Sequence, residues 1–141
     1  MPTLPFRLAI PYRRIYSGEP LRPLLRVRLE YGNTSLDAYA LVDSGADRTT
    51  FSTRHAAALG VDLSAASPTR ARGVGGSDVV FPVDLVVTAQ GVRFAAQLNF
   101  SPQWTTAFGL LGRADFFRAF RVAFDEPDEM LYLDRFDEPG T

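Results

Sequence analysis

Asp43-Ser44-Gly45 is the stretch of this 141-residue chain whose residue types best suit catalysis. The apolar run Ala40-Leu41-Val42 delivers one carboxylate into a Ser-Gly turn. Ala46-Asp47-Arg48 then leads on to a β-prone run, Thr49-Thr50-Phe51. Taking a lone Asp out of water is costly unless hydrogen bonds, a shared proton or a partner charge compensate. A carboxylate so placed is a general base while ionised and a general acid while protonated. The same residue types also build plain surface turns, because Asp and Ser bond to nearby backbone and Gly accepts positive φ. Read alone, the tripeptide favours the plain turn.

Two further motifs change that reading. Gly73-Val74-Gly75-Gly76 lies between β-prone segments, and Gly109-Leu110-Leu111-Gly112-Arg113-Ala114-Asp115 precedes a segment of helical character. In this order and spacing the three motifs resemble the retropepsin-like aspartic proteases, over roughly residues 24 to 124. The resemblance implies an all-β, closed-barrel acid protease fold with one or two short helices, and an aspartic endopeptidase activity. Aspartate-driven hydrolysis needs two carboxylates that share a proton around one water. The chain holds a single Asp-Ser-Gly, so one protomer supplies half an active site. A two-fold homodimer would set Asp43 beside its symmetry mate.

Roles for the neighbours follow from the resemblance. Ser44, where many family members carry Thr, braces the paired loops across the axis. Gly45 permits the tight turn and leaves its N–H near the carboxylate. Ala46 is small enough for a peptide to pass beside it, and Asp47 contacts substrate backbone and pairs with Arg113. Gly73, Val74, Gly75 and Gly76 form the tip of a flap that closes over the substrate. Leu110, Leu111 and Gly112 bring a buried strand under the catalytic loop, Gly112 permitting close backbone approach. Retroviral members end soon after the Leu-Leu-Gly-Arg helix, in a strand that helps build the dimer sheet. This chain instead continues for about 20 residues through a Pro-containing hairpin, a departure that bears on where a dimer would form. A catalytically inactive, retropepsin-like peptide-binding or dimerisation domain is the alternative, since fold does not guarantee activity.

Composition removes several other chemistries. All 15 basic residues are Arg, which excludes a Gly-Lys-Ser/Thr phosphate loop and a Schiff-base lysine. The chain has no Cys and one His, His55, so thiolate nucleophiles, zinc–sulfur sites and multi-histidine metal sites are out. No cofactor or metal is expected. A serine hydrolase using Ser44 lacks the nucleophile-elbow context, and only His55 would serve as its base. The net charge of −1 gives no electrostatic case for nucleic acid or an anionic membrane. No run reaches signal-peptide or transmembrane length, and the expected compartment is the cytoplasm. The partners expected are a peptide or protein substrate and a second copy of the chain.

The positioning elements are read from periodicity. One domain over 1–141 is expected, its core about 24–134, flanked by an N-terminal arm and a C-terminal tail. Phe6 to Ile10 reads as a short strand between prolines. Leu25, Val27, Leu29 and Tyr31 alternate with charged residues as a half-buried strand. Gly32-Asn33 signals a hairpin whose return arm, Leu36 to Val42, ends on Asp43. Ser52 caps a helix over Thr53 to Leu59 that Gly60 closes, with His55 as a surface or capping residue. Ser64 to Arg72 reads as loop. Val79 to Val87 and Val92 to Phe100 are strands joined near Gln90-Gly91. Arg113 to Ala119 reads as a helix of about two turns. A final hairpin joins Phe120–Phe124 to Met130–Leu133, and its acidic turn lacks the spacing of a calcium loop.

Overall fold

In a computed structural model the chain is described over residues 5–73 and 76–136. Ten strands and two short helices follow in the order β1 Leu8–Pro11, β2 Leu24–Tyr31, β3 Thr34–Val42, β4 Thr50–Ser52, α1 Thr53–Ala58, β5 Thr69–Gly73, β6 Gly76–Ala89, β7 Val92–Ser101, β8 Gly109–Leu111, α2 Phe116–Ala119, β9 Phe120–Asp125 and β10 Met130–Arg135.

The large sheet runs β2-β3-β8-β4-β7-β6-β5, and β6 also pairs with β2. That extra pairing, Val27–Glu30 against Val86–Ala89, closes six strands into a barrel and leaves β5 outside it. Alternation decides what fills the barrel. Val27 and Leu29 of β2 are buried, whereas Arg26 and Arg28 point outward and both hydrogen-bond Asp37 of β3. Gly32 takes φ +58 in the β2–β3 turn, the backbone region glycine occupies without steric penalty. Gln90 and Gly91 both have positive φ, the turn type whose twist suits a two-residue hairpin, here joining β6 to β7.

The order β3-β8-β4 is the unusual part of the topology. Strand β8 is parallel to β3 and antiparallel to β4, so it is inserted between two strands that are consecutive in sequence. The turn from Asp43 to Thr49 therefore has to pass around the end of β8.

Four expectations from sequence are corrected here. The segment from Leu8 to Pro11, expected within a flanking arm, is instead a paired strand: β1 pairs with β10, and β10 with β9, in a second, three-stranded antiparallel sheet. Tyr12 is buried in the main core, its N–H donates to the Glu129 carbonyl and its hydroxyl to Glu126 Oε1 at 3.1 Å. Burial, then the bond to Glu126, pushes the Tyr12 hydroxyl up to about 12. Thr69 to Arg72 is strand rather than loop, held by pairing with β6. The second helix is a single turn, Phe116–Ala119; Arg113 and Ala114 precede it and donate their N–H groups to the Ala46 and Asp47 carbonyls. Finally, His55 is half-buried, edge-on to Phe51 with ring centroids 5.1 Å apart. Ser52 does cap α1, accepting from the Arg54 N–H, and Gly60 follows with φ +76. Among the described residues no helix is long and apolar enough to cross a membrane.

Burial, then the neighbouring Arg54, lowers the His55 pKa from its ordinary 6.5. On acidification the unfolded chain therefore takes up the proton first. The contribution of neutral His55 to stability is complete above about pH 6.5 and is lost as the pH falls through the folded-state value. His55→Leu, which keeps the contact with Phe51, is expected to lose less stability than wild type between pH 7 and pH 5, measured by urea unfolding at each pH. An identical pH dependence in the two proteins would contradict this.

Candidate active site

Asp43 follows the last residue of β3, half-buried. Its N–H donates to the Leu111 carbonyl at 3.1 Å. Its Oδ1 accepts the Gly45 N–H at 2.9 Å. Backbone and side chain are thus both held, which fixes the direction of the carboxylate. Gly45 is needed here for space rather than for positive φ. A Cβ at this position would lie 3.2 Å from Asp43 Oδ1, tight enough to disturb the bond that orients it.

The rest of the turn is clamped by the segment that leaves β8. The Ala46 carbonyl accepts the Arg113 N–H and the Asp47 carbonyl accepts the Ala114 N–H, both at 2.9 Å. Thr49 is 1% exposed, and its Oγ1 accepts the Gly112 N–H at 3.2 Å. Every one of these links uses main-chain groups of 112–114. The side-chain pair Asp47–Arg113 does form, at 3.9 Å with both side chains mostly exposed, a geometry that contributes little in water.

Of the residues singled out from sequence, Asp43, Gly45, Ala46, Asp47 and Leu110 line one open cleft of about 800 Å³. Ser44 is exposed beside it. Leu111 turns the other way, into the core. Gly73 and Gly76 face each other as the last pair of the β5–β6 hairpin, whereas Val74 and Gly75 lie outside the described residues. That hairpin supplies Thr69, Arg70, Ala71, Asp78 and Val80 to the cleft wall.

Sequence reading missed the opposite wall. It comes from Thr50 of β4, from Gln97, Asn99 and Ser101 of β7, and from Gln103 and Trp104 in the following loop. The Trp104 indole N–H donates to the Phe108 carbonyl at 2.7 Å, which sets the ring. The signal was present as alternating polar residues in an otherwise apolar strand, but alternation alone does not say which face meets a cleft. A second hollow, of about 720 Å³, lies against Phe117, Phe120, Val122 and Phe136, with Arg118 and Arg121, and has no carboxylate in its lining.

Asp115 lies behind the turn. Burial pushes its carboxyl up from the ordinary carboxylate range, against the opposing pull of Arg48, the Gln97 backbone N–H and Arg118. Among the described residues no group of three or more His, Cys, Asp or Glu is gathered to hold a metal ion.

The clamp generates a stability test. A Cβ on Gly112 would lie 2.4 Å from the Arg48 carbonyl carbon and 2.6 Å from its oxygen, backbone atoms that cannot swing aside. Gly112→Ala is expected to destabilise the fold by about 1–3 kcal/mol, as overpacking of a filled interior does. Urea unfolding measures it, and an unchanged midpoint would show that the turn has slack the geometry denies.

The family model described as "Aspartyl protease" matches residues 27–112. Among solved structures, a retropepsin-like aspartic protease from Rickettsia conorii superposes with a TM-score of 0.68. It is 21% identical, over 89% of this chain and 88% of that one, a likeness that concerns the fold. No protein with curated function matches the chain in sequence.

Proposed function

The chain belongs to the aspartyl protease family, whose model spans more than half of it, and with that as premise we propose that it is an endopeptidase active as a homodimer. The observation that carries the reading is the fixing of Asp43 in the cleft wall by the Leu111 carbonyl and the Gly45 N–H. A carboxylate that must share a proton with its twin needs a fixed direction, because the sharing depends on separation and angle.

In the dimer the two Asp43 carboxylates meet on the two-fold axis and flank one water. Two such groups about 3 Å apart do not both ionise readily, so the pair carries one proton over a range of pH. The ionised member takes a proton from the water as it attacks the peptide carbonyl. The protonated member hydrogen-bonds the carbonyl oxygen and then supplies a proton to the leaving amine. Ser44, exposed next to the carboxylate, braces the two loops across the axis. The β5–β6 hairpin closes over the peptide, and Asp47 at the rim meets substrate backbone. Peptide or protein is the substrate class.

Replacing Asp43 by Asn keeps shape and removes the base. Asp43→Asn is expected to lower cleavage of a peptide library by at least about a hundredfold, with the thermal unfolding midpoint and oligomeric state unchanged. Turnover near that of wild type would exclude the aspartic mechanism. A wild-type protein that binds peptides in this cleft and cleaves none would instead identify the inactive binding module.

A further inference from the structure

The barrel register sorts alternate residues of three adjacent strands to opposite faces. Phe51 of β4 pairs with Phe100 of β7, which pairs with Phe81 of β6. Phe51 and Phe100 are fully buried in the core, with Phe81 packed against it. One residue earlier in β4 and β7, and one later in β6, Thr50 pairs with Asn99 and Asn99 with Pro82. Thr50 also pairs with Leu110 of β8. Paired residues share a face, and all four of this second row line the cleft beside Asp43. The row is therefore the floor on which a substrate side chain would rest.

Asn99 is the exception in that floor. It is 7% exposed, and its backbone is anchored by its N–H to the Thr49 carbonyl at 2.9 Å. Among the described residues no hydrogen bond reaches its side-chain amide. Nor is that amide sealed in: the buried polar atoms without a partner are His55 Nδ1, Asp115 Oδ2 and Asp134 Oδ1. It opens into the cleft instead. An amide that has no partner in the protein and opens into the cleft bonds water there, and a substrate group that displaces that water has to supply equivalent hydrogen bonds.

We propose that Asn99 is a specificity-determining residue, whose amide reads a neutral hydrogen-bonding substrate side chain, a carboxamide or hydroxyl, in the subsite it shares with Thr50, Leu110 and Pro82. The inference rests on the endopeptidase reading and adds the substrate class for one subsite. Neutrality follows from where the charges lie. Arg48, Arg70, Asp47 and Asp78 line the cleft but are exposed, at its rim. The half-buried Asp43 beside the floor is the carboxylate committed to the reacting water, and no ionisable group belongs to the floor row itself. A charged side chain lowered onto that floor would shed water without gaining a counter-ion, which is the dearer exchange. An apolar one would leave the Asn99 amide without a partner, and sites built to hydrogen-bond discriminate strongly against analogues that lack the group.

The test is cleavage-site profiling of a peptide library by wild type, Asn99→Leu and Asp43→Asn. Wild type is expected to enrich Asn, Gln, Ser or Thr at one substrate position, with Asp43→Asn producing no cuts. Asn99→Leu, close in volume, is expected to exchange that preference for aliphatic residues. Its kcat/KM should fall about tenfold or more on a peptide with the polar residue and rise on the aliphatic match, while other positions keep their profile. Wild type cutting only at sites with aliphatic residues at every position would overturn the assignment while leaving the protease reading intact, and needs no variant to fold. A polar preference unchanged in a folded Asn99→Leu would also overturn it. A wild type that cuts nothing would remove the protease reading and this inference with it.

Discussion

The interlock between the turn at 43–49 and the end of β8 is the constraint on which the structure depends. Inserting β8 between β3 and β4 forces the chain to pass around a strand end. It also brings the N–H groups of 112–114 under the carbonyls and hydroxyl of the turn. Two of these links, from Arg113 and Ala114 to the Ala46 and Asp47 carbonyls, are main-chain bonds that side-chain substitution leaves in place, and the third depends on the Thr49 hydroxyl. What the sequence must supply is room, and it does so with glycine at Gly112, against Arg48, and at Gly109, where a Cβ would meet the Phe51 ring at 2.5 Å. The carboxylate inherits its position from this scaffold rather than from an ion pair, and the exposed Asp47–Arg113 contact is a minor addition.

The same pleat that builds the core builds the cleft. Leu111 and Phe100 fill the barrel, while their immediate neighbours Leu110 and Asn99 face out towards Asp43. Core and site are therefore coupled through register. A one-residue slip of β7 would send Phe100 to the cleft and Asn99 to the core, which the buried phenylalanine row resists. The terminal sheet lies outside this logic. It closes the molecule by pairing β1 with β10, and Tyr12 reaches from it into the main core. β1 and β10 are partnered within one chain.

Much of the barrel was legible in the sequence because its signals are local. The alternation through Leu25–Tyr31, the Gly32-Asn33 turn and the return strand ending at Asp43 each depend on residues close together. So does the Ser52 cap. What was illegible depends on distant partners. The strand Thr69–Gly73 looks like loop from its small and polar residues, and exists because β6 offers an edge to pair with. The pairing of Leu8 with Leu133 has no local signature at all. The helix expected from Arg113 begins only at Phe116, after Arg113 and Ala114 have bonded the distant 43–49 turn. At the site, the Asp-Ser-Gly turn was readable as a motif; its clamp by the N–H groups of 112–114 was not, and Asn99 was one polar residue in a β-run until the register placed it on the cleft floor.

The homodimeric shared dyad is the central claim, and subunit mixing tests it most directly. Wild-type chains are combined with rising amounts of Asp43→Asn chains under conditions where exchange is verified by mass-tagged heterodimers. Each mixed dimer carries one ionisable carboxylate in place of two. Activity per wild-type chain is expected to fall to about half at equal amounts, the outcome of random pairing, and towards zero in large excess of the variant. Activity per wild-type chain that stays constant across the series, with heterodimers present, would contradict a site shared between two copies.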